Sequence, residues 1–297
     1  MHIVRYIDQA GSSNVGSLSE DGQLKRLPVA SMNELLAMPL QRIRWLTTEQ
    51  SHPLEDSFGA LGVPVDGFTE VWASGVTYKR SKEARVEEST HQDVYERVYE
   101  ADRPELFYKC AAWRVVTDRE PVGVRSDSRL NVPEPELAVV ANAYGEIVGL
   151  MVCNDMSSRS LEGENPLYLP QAKCYAGSCS LSNGIRPIWE VTGEPLTIDM
   201  RISRGDDTVF SGQTSTGEMK RSLTELVRHL FEAENFPGGV VLSTGTGLVP
   251  DLDFILQTND IVQIDIHGVG SLENRVVKGK EEFLPYLRRG HELLMEQ

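Results

Sequence analysis

Basic residues, cysteine and long apolar runs are all scarce. Lysine and arginine number 29 against 44 aspartates and glutamates, for a net charge of -15. That balance argues against a nucleic-acid partner, which asks for a positive face toward phosphate. It leaves an anionic small molecule open, because a bound cation inverts the local field. The four cysteines, Cys110, Cys153, Cys174 and Cys179, contain no C-x-x-C pair. No histidine lies near Cys174 and Cys179 in sequence to complete a soft-metal site. They read as small core thiols in a reducing compartment, so we expect a cytoplasmic protein. No apolar run approaches the ~18–20 residues of a membrane span. The first residues, Met1 to Tyr6, lack the apolar stretch of a signal peptide. Internal repeats and low-complexity tracts are also absent. What is present is an ordinary globular composition, 40% hydrophobic over 297 residues, enough for one or two domains.

Within it, one stretch organises the rest: Asn131-Val132-Pro133-Glu134-Pro135-Glu136-Leu137-Ala138-Val139-Val140. Residues i and i+2 of a strand share a face, so Glu134 and Glu136 project side by side. Two like charges that close repel unless a cation or a shared proton sits between them. A hard divalent ion such as Mg2+ takes oxygen ligands of this kind. A third carboxylate, Asp155, ends the next apolar run, Ile147 to Cys153, after the turn Asn142-Ala143-Tyr144-Gly145. The two runs read as a hairpin that returns Asp155 to the glutamates. The alternative for the E-x-E pair alone is a solvated acidic strand end.

Along the chain, residues 1–68 read as a small N-terminal module and 69–297 as the main domain. Strands are expected at His2–Ile7, Val15–Leu18 and Leu24–Leu27. Ser31-x-x-Glu34 has capping-box spacing before a short helix to Met38. A buried strand is expected from Val71 to Tyr78, then charged helix from Ser81 to about Ala101 with a break at Ser89-Thr90. Glu105 and Lys109, in Arg103-Pro104-Glu105-Leu106-Phe107-Tyr108-Lys109, share a face in either a helix or a strand and read as a surface ion pair. The polar stretch from Met156 to Lys173 shows no periodicity and reads as a long loop, a common setting for function. Lys173 alone there reads as solvated. Strands at Thr197–Ile202, Thr208–Ser211 and Gln213–Ser215 precede a helix from Ser222 to about Glu234. Gly238 to Gly247 reads as a strand entering a glycine-hydroxyl turn able to hold a carboxylate or phosphate. It is not a P-loop, because no Gly-Lys-Ser/Thr follows. Ile261–Ile266 and Val276–Val277 close the sheet, and Glu281–Met295 reads as a last helix.

The ordered set Glu-Pro-Glu-Leu-Ala-Val-Val, Asn-Asp-Met-Ser-Ser-Arg, Ala-Lys, Ser-Thr-Gly-Thr-Gly and Asn-Asp-Ile-Val-Gln-Ile-Asp-Ile-His-Gly-Val-Gly resembles the fumarylacetoacetate hydrolase superfamily, over roughly Phe68 to Lys280. The resemblance implies an α+β protein with a mixed β-roll or sandwich catalytic domain, usually a homodimer or homotetramer, and one Mg2+ (or Mn2+). It implies Glu134, Glu136 and Asp155 as metal ligands, Lys173 as the active-site lysine and Thr246 as a substrate-binding threonine. Hydrolases of the superfamily carry a water-activating histidine with a glutamate beyond it. In Thr77-Tyr78-Lys79-Arg80-Ser81-Lys82-Glu83 that histidine's place is held by Ser81, and a serine with no partner base cannot take a proton from water near neutral pH. Gly-Val-Thr-Tyr-Lys-Arg-Ser, Arg-Pro-Glu-Leu-Phe-Tyr-Lys and Gly-Val-Arg-Ser-Asp-Ser instead resemble the sugar-acid dehydratase branch. That branch acts on 2-keto-3-deoxy-D-arabinonate (equally, the xylonate) in oxidative pentose breakdown.

The expected chemistry is a metal-assisted β-elimination giving 2,5-dioxopentanoate. Lys173 and Glu105 share the acid and base roles in an order the sequence leaves open. Thr246 binds the substrate carboxylate, and Arg125 and Ser126 are placed at the sugar hydroxyls. Two other family reactions stay in view, acylpyruvate hydrolysis and oxaloacetate decarboxylation. So does a reading of another class, a non-catalytic sugar-acid binding protein.

Overall fold

The first strand is not confined to the N-terminal segment. In this computed structural model, which describes residues 1–49, 58–81, 92–192, 195–251 and 253–286, β1 (His2–Ile7) forms a meander with β2 (Ser13–Leu18) and β3 (Leu24–Arg26). Ser31 caps α1 (Met32–Leu36), its hydroxyl accepting from Glu34 N, and α2 (Leu40–Thr48) follows. β4 (Ala60–Gly62) returns to β1. β5 (Glu70–Gly75), then α3 (Gln92–Glu100), lead to β6 (Glu105–Ala111). The strand expected to reach Tyr78 stops at Gly75, because Val76 turns to φ +54°. Residues 82–91 of the expected charged helix, with the Ser89-Thr90 break, lie outside the described residues, as does the end of the expected C-terminal helix.

Short strands β7 (Val116–Thr117), β8 (Val122–Val124) and β9 (Asn131–Val132) precede the central hairpin of β10 (Pro135–Ala141) and β11 (Ile147–Asp155). The hairpin has the expected turn, with Gly145 at φ +72°, where a side chain would be strained. After β12 (Ser157–Ser158), the segment expected as a loop folds into α4 (Arg159–Glu164), a 3-10 turn and α5 (Leu169–Lys173). Single turns of helix this short carry no readable period, which is why the sequence pattern missed them. β13 (Cys179–Leu181) and β14 (Gly184–Pro187) come next. Then come β15 (Thr197–Arg204), β16 (Asp207–Ser215), α6 (Leu223–Leu230), β17 (Val240–Ser243), β18 (Ile261–Ile266) and β19 (Gly270–Lys278).

Among the described residues there is one large mixed sheet in the order β3-β2-β1-β14-β11-β10-β17-β5-β6, and a smaller one in the order β16-β15-β18-β19-β8. β1 joins the large sheet by pairing antiparallel with β14. The core lies on both faces of the large sheet. Leu137, Val139, Leu150 and Val152 pack toward the smaller sheet, with Ile198, Met200, Ile264 and Leu272. Ala138, Val140, Val148 and Met151 face the N-terminal helices, with Met32, Leu35, Leu36 and Ile43. Covered on both faces, β10 and β11 are apolar at nearly every position rather than alternating. The architecture is α+β, as the resemblance implied. No described helix is long and apolar enough to cross a membrane.

Candidate active site

The period of two that puts Ala138 and Val140 on one face of β10 carries on to Glu136 and Glu134. On β11 the matching set is Met151, Cys153 and Asp155. The register opposes Glu136 to Cys153, so Asp155 comes to lie beside the two glutamates. Ligand oxygens of Glu134, Glu136 and Asp155 all lie within 4.8 Å of one another, and each residue is at most 2% exposed. Burial, then Asp155 and Glu134, push the Glu136 carboxyl from 4.5 up to about 8. Crowding of this kind is relieved by a cation, and an all-carboxylate oxygen set suits Mg2+ or Mn2+ over softer metals. The residues therefore fit the ion the resemblance implies.

Glu136 is oriented by the glycine-hydroxyl turn after β17. Ser243 Oγ donates to Glu136 Oε2 at 2.5 Å and Gly245 N at 2.9 Å. The turn does hold a carboxylate, and it is the protein's own. Gly245 sits at φ +90°, and a Cβ there would collide with Thr77 Oγ1, so glycine is required. Thr246 lines a small cavity together with the three carboxylates. Its hydroxyl lies 2.9 Å from both Pro135 O and Leu248 O, either of which can accept its one proton.

Lys173 is buried rather than solvated. Its Nζ donates to Glu134 Oε2 at 2.6 Å, Asp155 Oδ2 at 3.0 Å and Ser157 Oγ at 2.5 Å. Glu105 opens β6 opposite Gly75, and its carboxylate occupies the space a Gly75 Cβ would fill. Glu105, Glu162 and Lys173 line a cavity of about 60 Å³ with Val94, Val98 and Phe107. A smaller one, of about 20 Å³, holds the triad, Arg159, Lys173 and Thr246. Ser81 faces the smaller cavity, but its hydroxyl donates to Tyr78 O at 2.8 Å, and no histidine lines that cavity among the described residues.

Two candidates lie elsewhere. Arg125 grips Asp127 at 2.7 Å and 2.8 Å and donates to Gln171 O at 2.9 Å, which ties it to the helix carrying Lys173. Ser126 is exposed in the adjoining turn. Neither is among the residues lining the two cavities.

Three site residues were missed in the sequence. Lys109, taken for half of a surface ion pair with Glu105, is fully buried. It pairs with Asp155 Oδ1 and donates to Met156 O at 3.0 Å and Lys173 O at 2.5 Å. It is the extra residue of a β-bulge, since Tyr108 opposes Trp72 and Cys110 opposes Val71. Bulges of this kind recur beside active sites. Arg159 and Glu162, one turn apart on α4, are buried as well, with Arg159 Nη2 3.7 Å from Glu134 and Glu162 3.9 Å from Lys173 Nζ. An i, i+3 pair of opposite charge looks the same on a solvated helix. The only signal was the E-x-E motif across the chain, which asks for cations around it.

The family described as fumarylacetoacetate (FAA) hydrolase, C-terminal, matches residues 70–277. A probable 2-keto-3-deoxyxylonate dehydratase of Haloferax volcanii is 43% identical over 262 residues, 87% of this chain and 90% of that one. The 2-dehydro-3-deoxy-D-arabinonate dehydratase of Saccharolobus solfataricus is 36% identical over 275 residues, 91% of each. A solved 2-keto-3-deoxy-D-arabinonate dehydratase complexed with magnesium and 2,5-dioxopentanoate superposes with a TM-score of 0.81 at 32% identity, covering 95% of this chain and 100% of that one. With its carboxylate triad and two-sheet fold, and with relatives this similar over nearly their whole length, the chain belongs to the fumarylacetoacetate hydrolase family.

Proposed function

We propose that this chain is a metal-dependent hydro-lyase that removes water from a 2-keto-3-deoxy pentonate to give 2,5-dioxopentanoate. The observation that carries the proposal is the buried triad with Lys173 against it and Glu105 across a shared wall. Relatives named as dehydratases of such acids point the same way.

Glu134, Glu136 and Asp155 would hold Mg2+ (or Mn2+), which when bound supplies Lewis-acid polarisation of a 2-oxo group. Around it stand four buried carboxylates, Glu162 included, and three buried cations, Lys109, Lys173 and Arg159. Their formal charges leave the cluster one negative. A divalent ion turns it one positive, the complement of a single substrate carboxylate. Lys173 is within hydrogen-bond reach of two triad carboxylates, next to where the carbon beside the carbonyl must lie. It moves or holds the C3 proton. Glu105, on the far side of Val76 and Phe107, faces the C4 hydroxyl that departs as water; the 3,4-ene left behind then loses one proton from C5 and one from the C5 hydroxyl and gains one each at C3 and C4, which makes C5 the aldehyde of the product. General acid–base help of this kind is worth ~100- to 10,000-fold. Thr246 borders the substrate's carboxylate end, and Arg125 steadies the Lys173 helix. Ser126 contributes to hydroxyl recognition only if substrate reaches its turn.

The test is purified protein with 2-keto-3-deoxy-D-arabinonate, the aldehyde followed by a coupled dehydrogenase, with and without EDTA. Aldehyde formed with Mg2+ and lost with EDTA is expected. Glu105→Gln should keep Mg2+ binding and lose ~100- to 10,000-fold in kcat; full turnover would remove Glu105 from proton transfer. Ser81, tied to the Tyr78 backbone, offers no base for acylpyruvate hydrolysis. Release of CO2 from oxaloacetate would favour decarboxylation, and recovery of unchanged acid a binding protein. The same proposal includes an N-terminal module of residues 1–68, a catalytic part of 69–297, a homodimer or homotetramer, and work in the cytoplasm. Light scattering tests the assembly.

A further inference from the structure

Val76 is held in a backbone conformation that suits it badly. Its φ is +54°, and β-branched residues rarely enter the left-handed region. Both neighbours fix it there. Gly75 pairs with Glu105, and Thr77 Oγ1 donates to Thr244 O at 2.6 Å. Glycine would sit at this position without strain, so the isopropyl group is kept against a conformational penalty. Strain of this sort points to a role for the side chain.

Val76 lines both cavities. Val76, Phe107, Gly75 and Lys173 are common to the cavity of the triad and to that of Glu105, so they form the boundary between the two. Lys173 Nζ lies 5.7 Å from the Phe107 ring centre. A 2-oxo acid anchored at the triad by its first two carbons, with its C4 oxygen at Glu105, must pass this boundary with C3. In the substrate class proposed above, C3 is a methylene.

We propose that Val76 is a specificity-determining residue: with Phe107 it forms an apolar wall for C3, selecting 2-oxo acids that lack a 3-hydroxyl. A hydroxyl pressed against that wall gives up water without gaining a partner. The inference rests on the dehydratase reading, but its test does not need turnover. Pyruvate and hydroxypyruvate share the carboxylate and 2-oxo group and differ by one hydroxyl at C3. Titrated calorimetrically into Mg2+-loaded protein, pyruvate should bind at least ~10-fold more tightly, within the range an apolar pocket achieves against an added hydroxyl. Val76→Thr, which places a hydroxyl on the wall, should narrow that ratio. Val76→Gly should melt higher than Val76→Ala, because alanine keeps the strain and glycine releases it. Equal binding of the two acids to the unaltered protein, or a ratio untouched in Val76→Thr and Val76→Gly, overturns the wall and leaves the dehydratase reading standing. Binding of neither acid, with aldehyde still formed from 2-keto-3-deoxy-D-arabinonate, overturns the wall alone; binding of neither with no aldehyde formed overturns that reading, and the wall with it.

Discussion

Two antiparallel hairpins of similar length show opposite treatments of charge. In β10–β11, every residue from Pro135 to Ala141 is buried, and so is β11 after Ile147. In β15–β16 the burial alternates, with Ile198, Met200 and Ile202 inward and Asp199, Arg201 and Gln213 toward solvent. There Gln213 Nε2 donates to Asp199 at 2.8 Å in an exposed pair, and nothing is asked of it. A carboxylate at the end of the first hairpin has no such freedom. Burial penalises its charge and forces it onto a cation, a donor or a proton. Charge on a strand buried on both faces is therefore a functional signal, and on a half-buried strand it is ordinary surface.

The comparison can be broken most forcefully at Lys109. Lys109→Met strips Asp155 Oδ1, at the end of the first hairpin, of its buried cation and leaves Lys173 alone on the other oxygen, and should destabilise by roughly 3–5 kcal/mol in denaturant titration. A loss under ~1 kcal/mol would make it a surface-type pair. Next comes pH. Glu136, pushed up to about 8, keeps its proton in the folded state after the unfolded chain has released it near the ordinary value. The EDTA-treated protein should therefore lose stability as pH rises from about 4.5 toward 8, and level off above. Mg2+ should raise the melting temperature more at pH 8.5 than at pH 5.5; equal rises would show that the triad does not bind it. A smaller contrast lies in two glycines. A Cβ on Gly149 of β11 would meet the backbone carbonyl of Arg186, whereas one on Gly212 of β16 would meet the end of the Leu248 side chain. Gly149→Ala should cost ~1–3 kcal/mol as overpacking, and Gly212→Ala less, because a side chain yields and a strand does not. Smallest of all, Asp199→Asn should change stability by no more than ~0.5 kcal/mol, and a larger loss would mean that the second hairpin also depends on its charges.

The central hairpin was legible because its signals are local. Alternation places Glu134 and Glu136 on one face, Asn142 to Gly145 makes the turn, and the apolar runs fix the register that returns Asp155. The missing histidine at Ser81 was legible for the same reason, one residue at one offset. Lys109, Arg159 and Glu162 were not. Each sits in a pattern that a solvated strand or helix shows equally, and only packing against β11 and α5 puts them inside. The helical turns at α4 and α5 escaped because segments of five or six residues complete no amphipathic period. Arg125 and Ser126 share a motif with the site, yet the turn after β8 directs Arg125 to Asp127 and Gln171 and leaves Ser126 in solvent.

The sequence by itself determined the family, the metal-ligand chemistry and the strands that carry it, because these depend on residue types at short, fixed spacings. Tertiary structure decided what surrounds the ligands: which lysines are buried, what holds each carboxylate, and the strained Val76 between triad and Glu105. Those outcomes come from contacts between segments tens of residues apart. The protonation and desolvation of a group depend on everything within a few ångströms of it, whatever its place in the chain.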